Sequence, residues 1–183
     1  MEQRRSVREY ASRDVSLEAV AQLLWAAQGV TGVGGLRTAP SAGALFPLRA
    51  YLAAIHVAGL ASGTYRYDPD THELEPLSKG DKSRLLRVGA LGQECAGQCA
   101  VAVLLTAYHR RLVAEFGAAA AHRLAAMEAG HAGQNFLLQA GAAGLGAIGL
   151  GRIDADVLRS AFSVPPVEEP LYLLLAGHKR IEG

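Results

Sequence analysis

The chain has 183 residues, 50% of them apolar and 19% charged, with a formal net charge of +1. That length fits a single domain, 1–183, with a real core, and the balanced charge and sparse aromatics give no reason to expect nucleic acid, a membrane or an acidic partner. Cys95 and Cys99 sit four apart with no CxxC and no well-spaced histidine, and the start MEQRRSVREY has no apolar signal region, so the expectation is a reducing, cytoplasmic location and small buried thiols rather than a metal or redox pair.

Arg4-Arg5-Ser6-Val7-Arg8 opens the chain. Guanidinium forks and a hydroxyl suit a phosphate, although a solvated terminus has the same composition. Ser16 reads as an N-cap, followed by Val20, Leu23, Leu24 and Ala27 on one helical face, with Gly29 as the stop. The segment Arg37-Thr38-Ala39-Pro40-Ser41-Ala42-Gly43-Ala44-Leu45-Phe46-Pro47 has neither period and suits a loop lining a flat ligand.

Arg49 to Val57 predicts a buried strand, and Thr64–Asp68 with His72–Leu77 a hairpin. Helical segments follow near Lys82–Ala90 and Glu94–Gln98, then an apolar strand, Ala100–Thr106. A helix near Arg110–Phe116 precedes a long one from about Ala118 to Ala143. From Ala129 to Gly151 there is no Asp, Glu, Lys or Arg. Gln134, Asn135, Gln139 and many glycines make this a helix buried in protein, between subunits, rather than a membrane span. A glycine turn then leads into a strand at Ile148–Leu150, Asp154 caps a helix to Phe162, and Pro170–Ala176 forms the last strand. This order predicts an α+β fold with a central, mostly antiparallel sheet flanked by helices.

Gly144-Leu145-Gly146-Ala147-Ile148-Gly149 matches G-x-G-x-x-G, but a helix precedes it and a strand follows, the reverse of a dinucleotide fingerprint. No G-x-S-x-G, H-E-x-x-H or P-loop is present, and the six histidines show no ligand spacing, so no catalytic side chain and no metal are expected. Anion-binding arginines without an evident side-chain catalyst point to a cofactor that carries the chemistry itself.

Five pieces, in order, resemble the FMN-dependent nitroreductase superfamily, especially its SagB-type branch, which includes azoline dehydrogenases of modified-peptide pathways. They are Arg4–Tyr10, Arg37–Pro47, the hairpin Gly63–Tyr67 with His72–Leu74, the run Glu128–His131 with Gln134-Asn135 and Gly144–Gly146, and Gly177-His178. The resemblance implies an intertwined homodimer with two interfacial FMN sites. It assigns Arg4, Arg5, Ser6 and Arg8 to the FMN phosphate, ribityl chain and pyrimidine edge. Pro40, Ser41, Ala42 and Gly43 would reach the ring from the other subunit. Leu150 and Gly151 would present backbone to the flavin, and Lys179 or Arg180 would add a phosphate contact. It further implies NADH or NADPH as donor and a small-molecule acceptor such as a nitroaromatic or quinone, with a SagB-type azoline dehydrogenase or a non-catalytic flavin-binding protein as alternatives. One departure stands out: where azoline dehydrogenases carry a Lys-Tyr pair, this chain has Glu115-Phe116-Gly117. The chain is also short for that family and is expected to leave the flavin less covered.

Overall fold

The computed structural model describes residues 2 and 4–180. Its elements are β1 (Val15–Ser16), α1 (Leu17–Gln28), β2 (Leu48–Ala54), β3 (Val57–Ala58), β4 (Gly63–Asp68), β5 (Glu73–Lys79), α2 (Ser83–Gly89), α3 (Glu94–Gln98), β6 (Val101–Ala107), α4 (Arg110–Phe116), α5 (Ala118–Ala142), β7 (Gly146–Leu150), α6 (Ala155–Phe162) and β8 (Glu169–Gly177). Six strands form the central antiparallel sheet that the sequence predicts; their order is β5-β4-β2-β6-β8-β7, and β1 pairs with β3 in a small parallel ribbon.

The sheet is covered on both faces. Ala50, Leu52 and Ala54 of β2 point into one core with α1 and α5, while Tyr51 and Ala53 point into the other with α2, α3 and α6. This is why β6 reads VAVLLTA without alternation: every one of its residues is buried. In α5, Ala121, Ala125, Ala129, Ala132, Phe136 and Ala140 are buried against the sheet and α1. The small alanines let the helix approach closely, and Phe136 is the one large side chain among them. The other side of α5, including Gly130, His131 and Gln134, is exposed. Among the described residues no helix is long and apolar enough to cross a membrane.

Ser16 caps α1 by accepting from the Ala19 N–H at 3.2 Å. Gly29 ends that helix, but not through a left-handed conformation: its φ is −62°, and a Cβ there would overlap the Trp25 ring. The reversed glycine motif has a structural explanation at each position. Gly144 (φ +73°) terminates α5 in a Schellman turn, with Leu145 N–H donating to Ala140 O at 2.8 Å and Gly144 N–H to Gly141 O at 3.1 Å. A Cβ on Gly146 would lie 2.6 Å from Val7, and one on Gly149 would overlap the Tyr172 hydroxyl.

Candidate functional site

Residues 4–11 lie as a strap along the end of the sheet. Ser6 forms a parallel bridge with Ala147, and Val7 N–H donates to Ala147 O at 3.0 Å. Tyr10 bridges to Lys179, Ala11 N–H donates to His178 O at 2.8 Å, and Arg180 N–H donates to Glu9 O at 3.2 Å. Tyr10 is buried, which pushes its phenol up, and its hydroxyl donates to Val7 O at 2.9 Å. Main-chain bonds and one tyrosine therefore fix the strap. The side chains of Arg8, Ser6, Lys179 and Arg180 stay exposed and Arg4 half-buried, while the Arg5 guanidinium donates to the carbonyls of Glu2 and Arg4, each at 2.9 Å.

The strap divides the expected cation cluster between the two sheet faces. Arg4 and Lys179 line a cleft of about 430 Å³ with Glu2, Leu137, Leu138 and Gly141 on the α5 side. Arg8 and Arg180 line another of about 430 Å³ with Glu9, Gln93, Glu94 and Cys95 on the α3 side. The first sets two cations against one carboxylate and the second against two, so the α5-side cleft is the more favourable for an anion. Burial pushes the Cys95 and Cys99 thiols up, which keeps both protonated.

Beyond Ala147 the outer edge of β7 is unpaired among the described residues. The Ala147 carbonyl points away from β8, so strand alternation turns the Gly149 N–H outward as well and directs that of Leu150 toward β8. The Leu150 side chain is buried, whereas Gly151 is exposed with open space around its Cα. Gly149 is thus an edge amide that the sequence reading did not single out; its place in G-x-G-x-x-G was the available signal. Tyr172 was missed too. Its ring packs over Gly133 of α5 and its hydroxyl reaches Gly149, with no hydrogen-bond partner among the described residues.

The loop 37–47 is built differently. Ser41 Oγ accepts from Phe46 N–H at 2.9 Å, and Ala42–Ala44 make a single tight turn. Gly43, Ala44 and Phe46 all have positive φ (60°, 52° and 45°), which only Gly tolerates freely. Side chains hold this geometry. The Arg37 guanidinium donates to Gln28 Oε1 at 2.7 Å and sits 5.2 Å from the Phe46 ring centroid. Asn135 Nδ2 donates to Thr38 O at 3.1 Å, and Thr38 Oγ1 to Trp25 O at 3.2 Å. Beneath the loop lies Glu128, only 3% exposed. Burial pushes its carboxyl up to about 7, against the pull of the Ser41 hydroxyl and the Arg37 charge. Pro40 and Gly43 are exposed and Ser41 and Ala42 half-buried. A Cβ on Gly43 would lie 3.4 Å from Phe116, at the end of α4.

Within the chain the two halves stay apart. The loop is held by Glu128 and Asn135 of α5, whereas the strap cleft is lined by Leu137, Leu138 and Gly141. Among the described residues no hydrogen bond joins Pro40–Gly43 to the strap, to Leu150–Gly151 or to Lys179–Arg180.

The profile of the Nitroreductase family matches residues 1–178. A Methanocaldococcus jannaschii protein, provisionally described as a nitroreductase, is 34% identical over 176 residues, covering 96% of this chain and 87% of that protein. Two crystal structures with the same provisional description are similar in fold. The one from Ralstonia eutropha has a TM-score of 0.84 at 30% identity, covering 98% of this chain and 80% of that one. The one from Anabaena variabilis has a TM-score of 0.86 at 28% identity; it covers 97% of this chain, which spans only 37% of the Anabaena protein. An E. coli microcin synthetase complex with a truncated pro-microcin bound shares the fold, with a TM-score of 0.82 at 22% identity over 94% of this chain and 68% of that one.

Proposed function

Because the chain belongs to the nitroreductase family and is a nitroreductase-like oxidoreductase, we propose that it is an FMN-dependent enzyme acting as a homodimer in the cytoplasm, with residues 1–178 and the short tail to 183 forming one FMN-binding domain. NADH or NADPH is the donor, and a small organic molecule such as a nitroaromatic or quinone is the acceptor. When bound, FMN supplies a ring that takes up a hydride from the nicotinamide and releases it to the acceptor in a second half-reaction.

The observation that carries this reading is the meeting of Arg4 and Lys179 in one cleft, next to the strand edge that Ser6 bridges at Ala147. The donor set fits the cofactor: two cations and a hydroxyl suit a phosphate, and an outward amide suits a polar ring edge. In this reading Arg4, Lys179 and Ser6 hold the phosphate, with Arg5, Arg8 and Arg180 supplying positive charge along the ribityl chain and pyrimidine edge. The Gly149–Gly151 edge offers main-chain N–H groups to the ring, with Leu150 packed behind it. A guanidinium beside the pyrimidine favours the negative charge that reduction brings there. Pro40, Ser41, Ala42 and Gly43 would lie against the ring held by the partner subunit, which is why they need not meet the strap within one chain. The exposed, uncharged stretch of α5 at Gly130, His131 and Gln134 and the exposed Trp25, Phe116 and Met127 support such an interface.

Purification tests the reading directly. The protein should be yellow, or take up FMN on addition, and bleach with NADH or NADPH under anaerobic conditions. A colourless protein that gains no flavin spectrum overturns it.

A second reading, a SagB-type azoline dehydrogenase, is favoured by one observation: Phe116, in the stretch where that branch carries its Lys-Tyr pair, abuts Gly43 of the ring-facing loop. The position is right but the residues are not, since neither Glu115 nor Phe116 reproduces the pair. Flavin that binds but does not bleach with either nicotinamide favours this reading or a non-catalytic flavin-binding role.

A further inference from the structure

His109, His122 and Glu169 are far apart in sequence and meet in space. Glu169 Oε2 lies 2.5 Å from His109 Nε2 and 3.0 Å from His122 Nδ1. The two imidazole centroids are 4.4 Å apart at a 39° tilt, and the three potential ligand atoms all lie within 4.8 Å of one another. We propose that these three residues form a site for a divalent transition-metal ion of the zinc class, outside the strap clefts and independent of the flavin.

The fold builds the cluster from three elements. His109 directly precedes α4, His122 lies in the second turn of α5, and Glu169 opens β8. The β6–β8 ladder slips between Leu105 and Thr106, so that Thr106 faces Pro170 and Ala107 faces Glu169. Such irregularities re-aim side chains at strand ends. Two adjacent carboxylates are thereby separated. Glu168 turns to the other side and is satisfied by the Tyr51 and Thr106 hydroxyls at 2.9 and 2.6 Å. Glu169 is left with two imidazoles.

Two imidazoles directed at one carboxylate oxygen must both carry a proton on the nitrogen facing it. If each proton moves to the other ring nitrogen, two lone pairs point at the same spot and the set becomes two nitrogens and a carboxylate oxygen. His109 Nδ1 is buried without a partner among the described residues, so no second hydrogen bond locks the ring against that change. The donor set is borderline in softness, which selects zinc-class ions over magnesium or calcium. Bonds of 2.0–2.2 Å in tetrahedral geometry require donor separations of about 3.3–3.5 Å. The half-exposed Glu169 carboxylate can back away from His109, and the exposed His122 ring can follow, to reach those separations. Side-chain exposures of 63% for His122 and 43% for Glu169 leave the fourth position to water. The ion would tie the start of α5 to the starts of α4 and β8.

The test is titration of the untagged, metal-stripped full chain with zinc chloride, followed by calorimetry and by the thermal midpoint, with magnesium chloride as the class control. The expected result is one zinc ion per chain and a raised midpoint. His122→Ala and Glu169→Gln should each weaken binding at least tenfold, and Cys95→Ser and Cys99→Ser should leave it unchanged. His122 is exposed, so its loss leaves the fold intact, which circular dichroism checks. Absence of saturable zinc binding overturns the proposal. So does binding that survives both ligand substitutions, depends on either cysteine, or is matched by magnesium.

Discussion

The loop 37–47 and the strap 4–11 stand on opposite solutions to the same problem, holding an irregular segment still. Only the start of the loop is tied by main chain, where Arg37 bridges Val30 and Thr38 N–H donates to Gly29 O; the rest is fixed by side chains, with Arg37 on Gln28 and Phe46, Asn135 on Thr38, Ser41 on Phe46 and Glu128 buried underneath. The strap is fixed by main-chain bonds to β7 and β8, with Tyr10 as its only deep anchor. Side chains spent on anchoring are not free to bind, so the loop offers a shape, whereas the strap offers charge.

The largest effect expected from breaking this arrangement is at the strand that carries the strap. Gly149→Val drives two methyl groups into Tyr172 and should destabilise the fold by about 3 kcal/mol. Thermal unfolding should show it, and Tyr172→Ala in the same chain should recover part of the loss; no recovery would mean that the glycine serves another purpose. Next is Glu128. Its carboxyl is raised to about 7 when folded, against 4.5 for the free group. The folded protein therefore keeps a proton that the unfolded chain has lost between those values, and stability falls as pH rises through that window. Glu128→Gln should flatten this slope, worth up to about 3 kcal/mol between pH 4.5 and 7.5, in denaturant titrations across pH.

Smaller again, Arg4→Ala should weaken FMN binding about tenfold or more without moving the thermal midpoint of the flavin-free protein. Arg8→Ala should also weaken it, but by less, because Glu9 and Glu94 already offset the charge of its cleft. Equal effects, or none, in fluorescence titrations with FMN would erase the difference between the two faces. The smallest is Asn135→Ala, which removes one hydrogen bond to Thr38 O and should cost about 1 kcal/mol, read as a lower unfolding midpoint with unchanged affinity for FMN in the strap.

Most of the architecture was legible because its elements carry strong local patterns. The turn between Asp68 and Glu73, the caps at Ser16 and Asp154, and the unbroken apolar run of β6 each fix a boundary by residue chemistry. The β1–β3 ribbon was not legible, since Val15-Ser16 and Val57-Ala58 are too short for any period to show. The strap was legible as charge but not as structure: its pairing with Ala147 and Lys179 is non-local and leaves no mark in residues 4–11. Nor could spacing reveal that His109 and His122 converge, because their meeting depends on how α4 and α5 pack across the turn at Gly117, and that of Glu169 with them on the β6–β8 ladder.

That strap also has a consequence for colloidal behaviour. A six-stranded open sheet has two rims at which other chains could add. At one rim, β5 is protected by Pro76 and by Glu73, Glu75 and Lys79. The opposite rim, β7, is GAIGL and uncharged, and the strap covers only its first part, at Ala147. Removing residues 1–9 bares the whole of that rim and should increase self-association through β7, which light scattering would register before any loss of secondary structure.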